Sequence, residues 1–379
     1  MNELNGMALI CFSHLRWNFV YQRPQHLMSR VAIETRVFFF EEPYYGDTVH
    51  FEIVNPIKNL WVVIPHLVNG ISEGEAAIHQ KEFIAGLMTT MNIKEYILWY
   101  YTPMAMPISE HLRPEVIVYD CMDELSNFKF APQALKYWER KLLKKADIVF
   151  TGGYSLFKAK KNQHHNIYPF PSSVDLKHFI QSRQGLEEPF DQANIPHPRF
   201  GFYGVIDERM DLDLITGIAL QREGWHIILI GPVLKIKQDE LPRYPNIHYL
   251  GMKSYAELPQ YLAGWDVAIM PFALNESTRL ISPTKTPEYL AGGKQVISTP
   301  IRDVIRDYCT VVHFASTVED FIRVAENDIA YDFSWLGNVD ELLKQNSWDK
   351  TWKDMRDIMH RSLYIKTNKF LQINSKAHV

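Results

Sequence analysis

The sequence predicts an α/β protein made of two similar units that face each other across a cleft. Three observations carry this expectation. The chain has 379 residues, more than the ~150 of one ordinary domain. Short apolar runs alternate with helix-length amphipathic segments in both halves, the pattern of parallel sheets covered by helices. The segment 181–198 (QSRQGLEEPFDQANIPHP) is polar, holds three prolines and keeps no period, which marks it as the linker between the units.

The elements follow in order. Residues 7–13 (MALICFS), 37–40, 60–64, 97–101 and 116–119 are apolar runs of strand length, and 23–32 and 74–91 carry helical patterns. The clearest helix of the first half spans 134–146. Leu135, Trp138, Leu142 and Leu143 recur on one face, and Glu139, Arg140, Lys141, Lys144 and Lys145 cover the remainder. A strand at 147–151 then closes on Gly152 and Gly153. In the second half, strands at 199–204, 226–230, 247–250 and 267–271 alternate with helices near 212–223 and 255–263. At the end, Trp348, Trp352, Met355 and Met359 share one face of a helix at 347–363 capped by Ser347, placed to brace both units. The expected division is 1–190, 196–345, and a crossover helix and tail at 346–379.

Composition removes several function classes. Hydrophobic residues at 46% and charged residues at 22% support a sizeable core and exclude wholesale disorder. With 40 basic against 44 acidic side chains, the net charge of −4 gives no electrostatic footprint for nucleic acid. Cys11, Cys121 and Cys309, without a CxxC, form neither a disulfide framework nor a cysteine zinc site, so a reducing cytosol is expected. No run approaches the ~18 apolar residues of a membrane span, and residues 1–6 lack the basic start of a secretion signal. His14-Leu15-Arg16-Trp17-Asn18 follows the first strand where a dinucleotide fold would carry GxGxxG, and GxxxxGK[ST], HExxH and GxSxG are absent too. No resident cofactor and no metal is expected, and His164-His165 reads as a solvated loop. Aromatics at 13% exceed the needs of a core and predict stacking surfaces or a broad interface.

The most informative segment is 271–300, PFALNESTRLISPTKTPEYLAGGKQVISTP. A strand ends at Pro271, and a polar loop leads into a short helix that starts at Ser282-Pro283 or Thr286-Pro287. Gly292-Gly293 ends that helix before a strand at 295–298. A loop running into a helix offers free N–H groups and a positive dipole end to a phosphate. Lys285 adds a full charge beside it, and Glu288 is placed to accept hydrogen bonds from paired ribose hydroxyls. On spacing alone the same pattern also fits a plain capped helix, with Glu288 complementing the dipole and Lys285 solvated.

The segment resembles the signature of GT-B glycosyltransferases of the family-4-like group, approximately SPxKxxEYLAxGKPVVST, which stands here as SPTKTPEYLAGGKQVIST. PFALN before it, GFYGVIDERMDLDLI at 201–215 and NIHYLGMKSYAELPQYLAGWDVAIMPF at 246–272 resemble further parts of the nucleotide-binding domain. CFSHLRWNFVYQRPQHLMSR resembles the opening of bacterial cell-surface polysaccharide glycosyltransferases, and VYDCMDEL and ADIVFTGGYSL agree with it. The resemblance implies two Rossmann-like domains and a C-terminal helix crossing back. It implies retaining transfer of a sugar from a UDP- or GDP-linked donor to a saccharide or lipid-linked acceptor, generally without a dedicated metal, with the leaving phosphate helping to remove the acceptor proton.

Carried over by residue, the resemblance makes Lys285 and Arg209 the diphosphate contacts, Glu288 the ribose carboxylate and Gly204 the close backbone approach. Ser282, Pro283 and Thr284 become the phosphate-side loop. One departure stands out. Relatives carry Glu-x7-Glu, and Leu280 occupies the position of the first glutamate, leaving Asn275, Glu276 and Thr278 as nearby substitutes. Negative charge gathers on the diphosphate as the anomeric C–O bond breaks, so cations and N–H donors aimed there are the main catalytic lever.

The acceptor is expected on the first domain. His14, Arg16, Trp17, Tyr21 and Arg23 follow one strand there and Asp120-Cys121-Met122-Asp123-Glu124 follow another; His14 and Asp120 are the expected contacts to sugar or acceptor. The basic stretch from Lys136 to Lys161 is either a solvated face or a peripheral contact of a cytoplasmic enzyme with anionic inner-membrane lipid. A sugar-nucleotide epimerase on the same fold and a non-catalytic nucleotide-sugar-binding protein are the alternatives.

Overall fold

The computed structural model describes residues 6–327 and 334–376, with side chains to residue 368. In the first half the apolar runs pair in parallel in the order Leu60–Val68, Arg36–Phe40, Ala8–Phe12, Tyr96–Tyr100, Val116–Cys121, Ile148–Thr151, Ile167–Pro169. These strands read as unbroken apolar runs because both sheet faces are covered. Along Ala8–Phe12, Leu9 and Cys11 enter one core while Ala8, Ile10 and Phe12 enter a second on the opposite face.

The edge of this sheet departs from the sequence expectation. His50–Ile57 pairs antiparallel with Leu60–Val68 through a tight turn in which Asn59 takes φ 63°. Its sequence, HFEIVNPI, mixes polar and apolar residues because most of the strand is exposed, and Pro56 is tolerated only at such an edge.

The second sheet is wholly parallel, in the order Ile247–Gly251, His226–Ile230, Arg199–Tyr203, Val267–Met270, Gln295–Ser298, His313–Phe314. Numbered within the unit this is the doubly wound order 3-2-1-4-5-6, whose ligands bind outside the carboxyl ends where the order reverses. In the second sheet the reversal lies between Arg199–Tyr203 and Val267–Met270. In the first it lies between Ala8–Phe12 and Tyr96–Tyr100.

The segment read as a linker is ordered and packed. Phe179 just before it and Ile195 within it belong to the second core, and the buried Gln192 bonds the Tyr261 carbonyl at 3.0 Å and the Trp265 indole N–H at 2.9 Å. Val174 already belongs to that core, so the chain changes sheets between Pro169 and Val174, upstream of the expected boundary. The polar sequence misleads because its side chains bond buried backbone in place of water.

The last helix, Trp348–Lys376, outruns its expected end. Leu336–Leu343 before it still packs in the second core through Val339 and Leu343. Trp348, Trp352, Met355, Ile358, Met359 and Leu363 then enter the first core, each burial contributing about 1.5–3 kcal/mol. Ser347 accepts the Lys350 N–H at 3.2 Å, as a cap should. No described helix is long and apolar enough to cross a membrane.

Two polar residues assigned to the surface are buried. Glu139 accepts from the Tyr119 hydroxyl and the Lys160 ammonium, each at 2.8 Å, so the outward face of its helix has an inward ion pair. The ring of His164 lies 3.0 Å from the Ala146 carbonyl and accepts the Asn166 N–H at 3.1 Å.

Candidate active site

A cleft with about 740 Å³ of empty space, partly open to solvent, separates the carboxyl ends of the two sheets. One wall comes from the second domain. Strand Arg199–Tyr203 delivers Gly204 at φ 153°, where an added Cβ would sit 2.9 Å from the Phe202 ring. Gly231, at φ 142°, ends the adjacent strand, and a Cβ there would meet the Gly204 carbonyl at 1.8 Å. Only bare backbone fits here, which leaves room for a ligand to come close. In the turn that follows, Arg209 is held in a fork by Asp207, Nε to Oδ1 at 2.9 Å and Nη2 to Oδ2 at 2.7 Å.

The loop containing Ser282, Pro283 and Thr284 lines the same wall and leads into the helix Lys285–Ala291. Thr284 is the cap position, between the alternative helix starts expected from sequence. Lys285, the first helical residue, places Nζ 3.0 Å from Glu288 Oε2 and 5.0 Å from the centre of the Tyr203 ring. Glu288 is 2% exposed and Lys285 8%, so the solvated-lysine reading of this helix is excluded.

A smaller recess, with about 360 Å³ of empty space that is partly open to solvent, adjoins the cleft through Gly204 and Lys285 and is lined by Tyr21, Tyr203, Gly231 and Tyr255. Tyr21 of the first domain stacks on Tyr255 of the second at 4.3 Å, and His26 stacks on Trp348 at 4.6 Å. The aromatic excess gathers partly here, between the domains. The hydroxyls of Tyr203 and Tyr255 are buried without a hydrogen-bond partner, and burial raises the pKa of each, so both stay protonated donors.

Three residues expected nearby shape the loop and do not line the cleft. Asn275 Oδ1 accepts the Ser277 N–H at 2.9 Å and the Ser277 hydroxyl at 2.6 Å. Thr278 Oγ1 accepts the Asn275 N–H at 3.1 Å and donates to the Ala273 carbonyl. Glu276 is exposed and pairs with Arg279. Leu280, at the position of the missing glutamate, is inserted into a core of the first domain.

On the opposite wall the expected contacts are rearranged. Asp120 is fully buried and accepts Arg23 Nε at 3.1 and 2.9 Å, so its carboxylate is engaged beneath the wall and does not reach the cleft. It lies inside strand Val116–Cys121, where the pleat turns it inward. Burial pushes its carboxyl up, against the pull of Arg23. Arg23 does line the cleft; Nη1 donates to the Phe170 carbonyl at 2.7 Å and Nη2 is buried with no partner.

His14 is also displaced from its expected role. It is half-buried outside the cleft lining, its Nδ1 has no partner, and burial, reinforced by the Lys235 charge, pushes its pKa down to about 4. The imidazole is therefore neutral at pH 7. Arg16 bonds Glu41 Oε2 at 3.0 Å and covers Tyr44 at 3.7 Å, while Trp17 packs edge-on against Phe39 in the core.

Asp123, named from sequence only as a member of the loop 120–124, takes the place in the cleft expected of Asp120. It follows the end of the strand, lines the cleft, and burial pushes its pKa up to about 6 against the pull of Arg209 and Arg23. The available signal was position, since ligands bind beyond the carboxyl end of a strand and not within it. The walls are held together beside this site by Asp303, which accepts the Ser155 N–H at 3.0 Å, and by Ser172, whose hydroxyl bonds the Ser282 carbonyl at 3.4 Å.

Two Rossmann-like sheets facing across a cleft, with a last helix returning to the first domain, define the GT-B fold. No family model matches the chain. Over 275 residues it is 25% identical to the Bacillus subtilis (strain 168) protein described as "Putative teichuronic acid biosynthesis glycosyltransferase TuaH", covering 68% of this chain and 66% of that relative. The chain thus spans just under two thirds of the length of the relative.

Solved structures match over nearly the whole chain. Sucrose-phosphate synthase from Thermosynechococcus elongatus has a TM-score of 0.68 at 12% identity, over 95% of this chain and 100% of its own. Trehalose 6-phosphate synthase from Burkholderia multivorans has a TM-score of 0.66 at 10% identity, over 96% and 99%. The Anabaena HepE protein in complex with UDP has a TM-score of 0.63 at 12% identity, over 94% and 100%. The resemblance to GT-B glycosyltransferases read from 271–300 is borne out.

Proposed function

We propose that the chain is a glycosyltransferase that moves a sugar from a nucleoside-diphosphate donor, UDP- or GDP-linked, to a saccharide or lipid-linked acceptor in the synthesis of a cell-surface polysaccharide. The observation that carries this reading is the meeting of Lys285, Arg209, Gly204 and the Ser282–Thr284 loop on one wall of an interdomain cleft. The second domain binds the donor and the first receives the acceptor. Lys285 and Arg209 neutralise the diphosphate as it leaves, helped by N–H groups at the start of the helix. Without donor, Lys285 and Glu288 neutralise each other at 3.0 Å. On binding, Lys285 turns to phosphate and Glu288 accepts the ribose hydroxyls, so neither charge is left buried and alone.

Two features of the relatives support the finer reading. The related Bacillus subtilis protein is named for teichuronic acid biosynthesis, and HepE is described in complex with UDP. The resemblance implies retention of anomeric configuration, and NMR of the product tests it. The helix Leu135–Lys145 presents Lys136, Tyr137, Arg140 and Lys144 to solvent, a basic and aromatic face suited to a peripheral contact with anionic lipid.

A thermal-shift panel of UDP-, GDP- and ADP-glucose tests the donor site. One nucleotide is expected to stabilise the wild type, and Lys285→Ala and Glu288→Ala are expected to abolish that shift. Undiminished binding by both variants would refute the assignment.

A further inference from the structure

A second hollow lies in the first domain, away from the cleft. It has about 690 Å³ of empty space, partly open to solvent, between the first sheet, the segment 106–114 and the helix Leu135–Lys145. We propose that it is a binding site for one anionic membrane phospholipid, whose acyl chain enters the hollow while its phosphate rests on Arg113 and Lys145. The proposal builds on the lipid contact read from the basic face of that helix, a contact that by itself needs no hollow.

The walls are apolar. Leu98, Met106, Leu112, Ile117 and Leu142 supply most of their surface. The hydroxyls among them are already used: Tyr100 donates to Ser109 Oγ at 2.8 Å, and Ser109 donates to the Ala105 carbonyl at 2.7 Å. Water between such walls finds few partners, and a hydrocarbon chain needs none.

The rim has the opposite character. Arg113 Nη1 donates to the His111 and Leu112 carbonyls at 3.0 and 3.2 Å, and Lys145 Nζ donates to the Glu110 carbonyl at 2.9 Å. Both side chains belong to exposed residues, and among the described residues neither is paired with a carboxylate. Glu110 is the one acidic residue of the lining, and Lys141 on the helix also opposes its charge. Lys136, Arg140 and Lys144 continue the positive surface along the same helix. A basic rim over an apolar hollow matches the head and tail of an anionic amphiphile.

Position selects a lipid of the bilayer over a lipid-linked acceptor. Arg113 and Lys145 precede the strands Val116–Cys121 and Ile148–Thr151, so the rim lies at the amino ends of the first sheet. The cleft lies beyond the carboxyl ends, a strand's length away, roughly 13–20 Å for these strands. A chain seated in the hollow therefore holds the protein at the membrane and takes no part in transfer.

The test uses the full chain with three soluble probes: dihexanoylphosphatidylglycerol, dihexanoylphosphatidylcholine and glycerol phosphate. Each is titrated by calorimetry below the concentration at which the lipids form micelles, beside sedimentation with phosphatidylcholine vesicles that contain or lack phosphatidylglycerol. The anionic lipid is expected to bind one per chain, about 10-fold or more tightly than either other probe. Arg113→Gln with Lys145→Gln is expected to weaken it about 30-fold, since each basic residue near an anionic lipid is worth about 5-fold. Leu112→Trp, which fills the hollow from its mouth, is expected to abolish its binding, with circular dichroism as the check of folding. Lys136→Gln with Arg140→Gln is expected to weaken vesicle binding alone.

The proposal is overturned by equal affinity for the choline lipid or for glycerol phosphate, by a rim variant that keeps wild-type affinity, or by no binding of soluble lipid. Adsorption to anionic vesicles without uptake of soluble lipid would overturn it too, leaving the helix face as the whole contact. A wild type that ignores anionic vesicles as well overturns the lipid-contact reading itself.

Discussion

The two walls of the cleft use the same chemistry at different ranges of sequence. On the second-domain wall, Lys285 and Glu288 meet across one helical turn, and Arg209 and Asp207 meet within one loop turn. On the first-domain wall, Arg23 and Asp120 are 97 residues apart and meet only because parallel strands bring a helix start beside a strand end. The cations of the short-range pairs, Lys285 and Arg209, line the cleft, where they can exchange partners with a ligand. Arg23 reaches the cleft lining as well but is held at 1% exposure by the fully buried Asp120, and that pair fixes the wall.

Breaking each kind of pair should therefore differ in its effect on ligand affinity. Arg23→Ala leaves the Asp120 charge buried and uncompensated, and is expected to cost about 3–5 kcal/mol of stability in urea unfolding. Met355→Ala, on the helix that returns to the first core, is expected to cost about 2–5 kcal/mol without altering nucleotide affinity. Lys285→Ala also strands a buried carboxylate, Glu288 at 2% exposure, and so costs stability too. What sets it apart is the ligand: nucleotide affinity measured by calorimetry falls about 10- to 100-fold, the worth of one charged hydrogen bond.

The smallest effect sharpens the comparison most. The folded-state pKa of Asp123, about 6, lies above that of an unfolded aspartate. The native state therefore holds the proton more tightly, its stabilisation is complete below about pH 4, and it is lost as pH rises through 6. Asp123→Asn is accordingly expected to raise Tm at pH 7.5 and to lose most of that gain at pH 4.5, as followed by scanning calorimetry. A cleft residue that destabilises the free protein is the expected cost of keeping an unpaired carboxylate there.

The same contrast explains what was legible in the sequence. Strands buried on both faces announce themselves as apolar runs, so the central strands of both sheets were placed within a residue or two, whereas the exposed His50–Ile57 edge was not. The donor wall was legible because its geometry is local: one loop and one turn of helix hold Ser282 to Glu288. The acceptor wall was not, because whether Asp120 or Asp123 faces the cleft depends on where the strand ends, and Cys121 is its last residue. The role of Leu280 was hidden for the same reason, since the core it enters belongs to the other domain.

A crystal structure of the protein with UDP or GDP bound tests the central claim most directly. The account predicts the diphosphate against Lys285, Arg209 and the loop at 282–284, the ribose on Glu288, and the Lys285–Glu288 pair opened to receive them. A nucleotide seated elsewhere, or one bound in the cleft with that pair still closed, would contradict it.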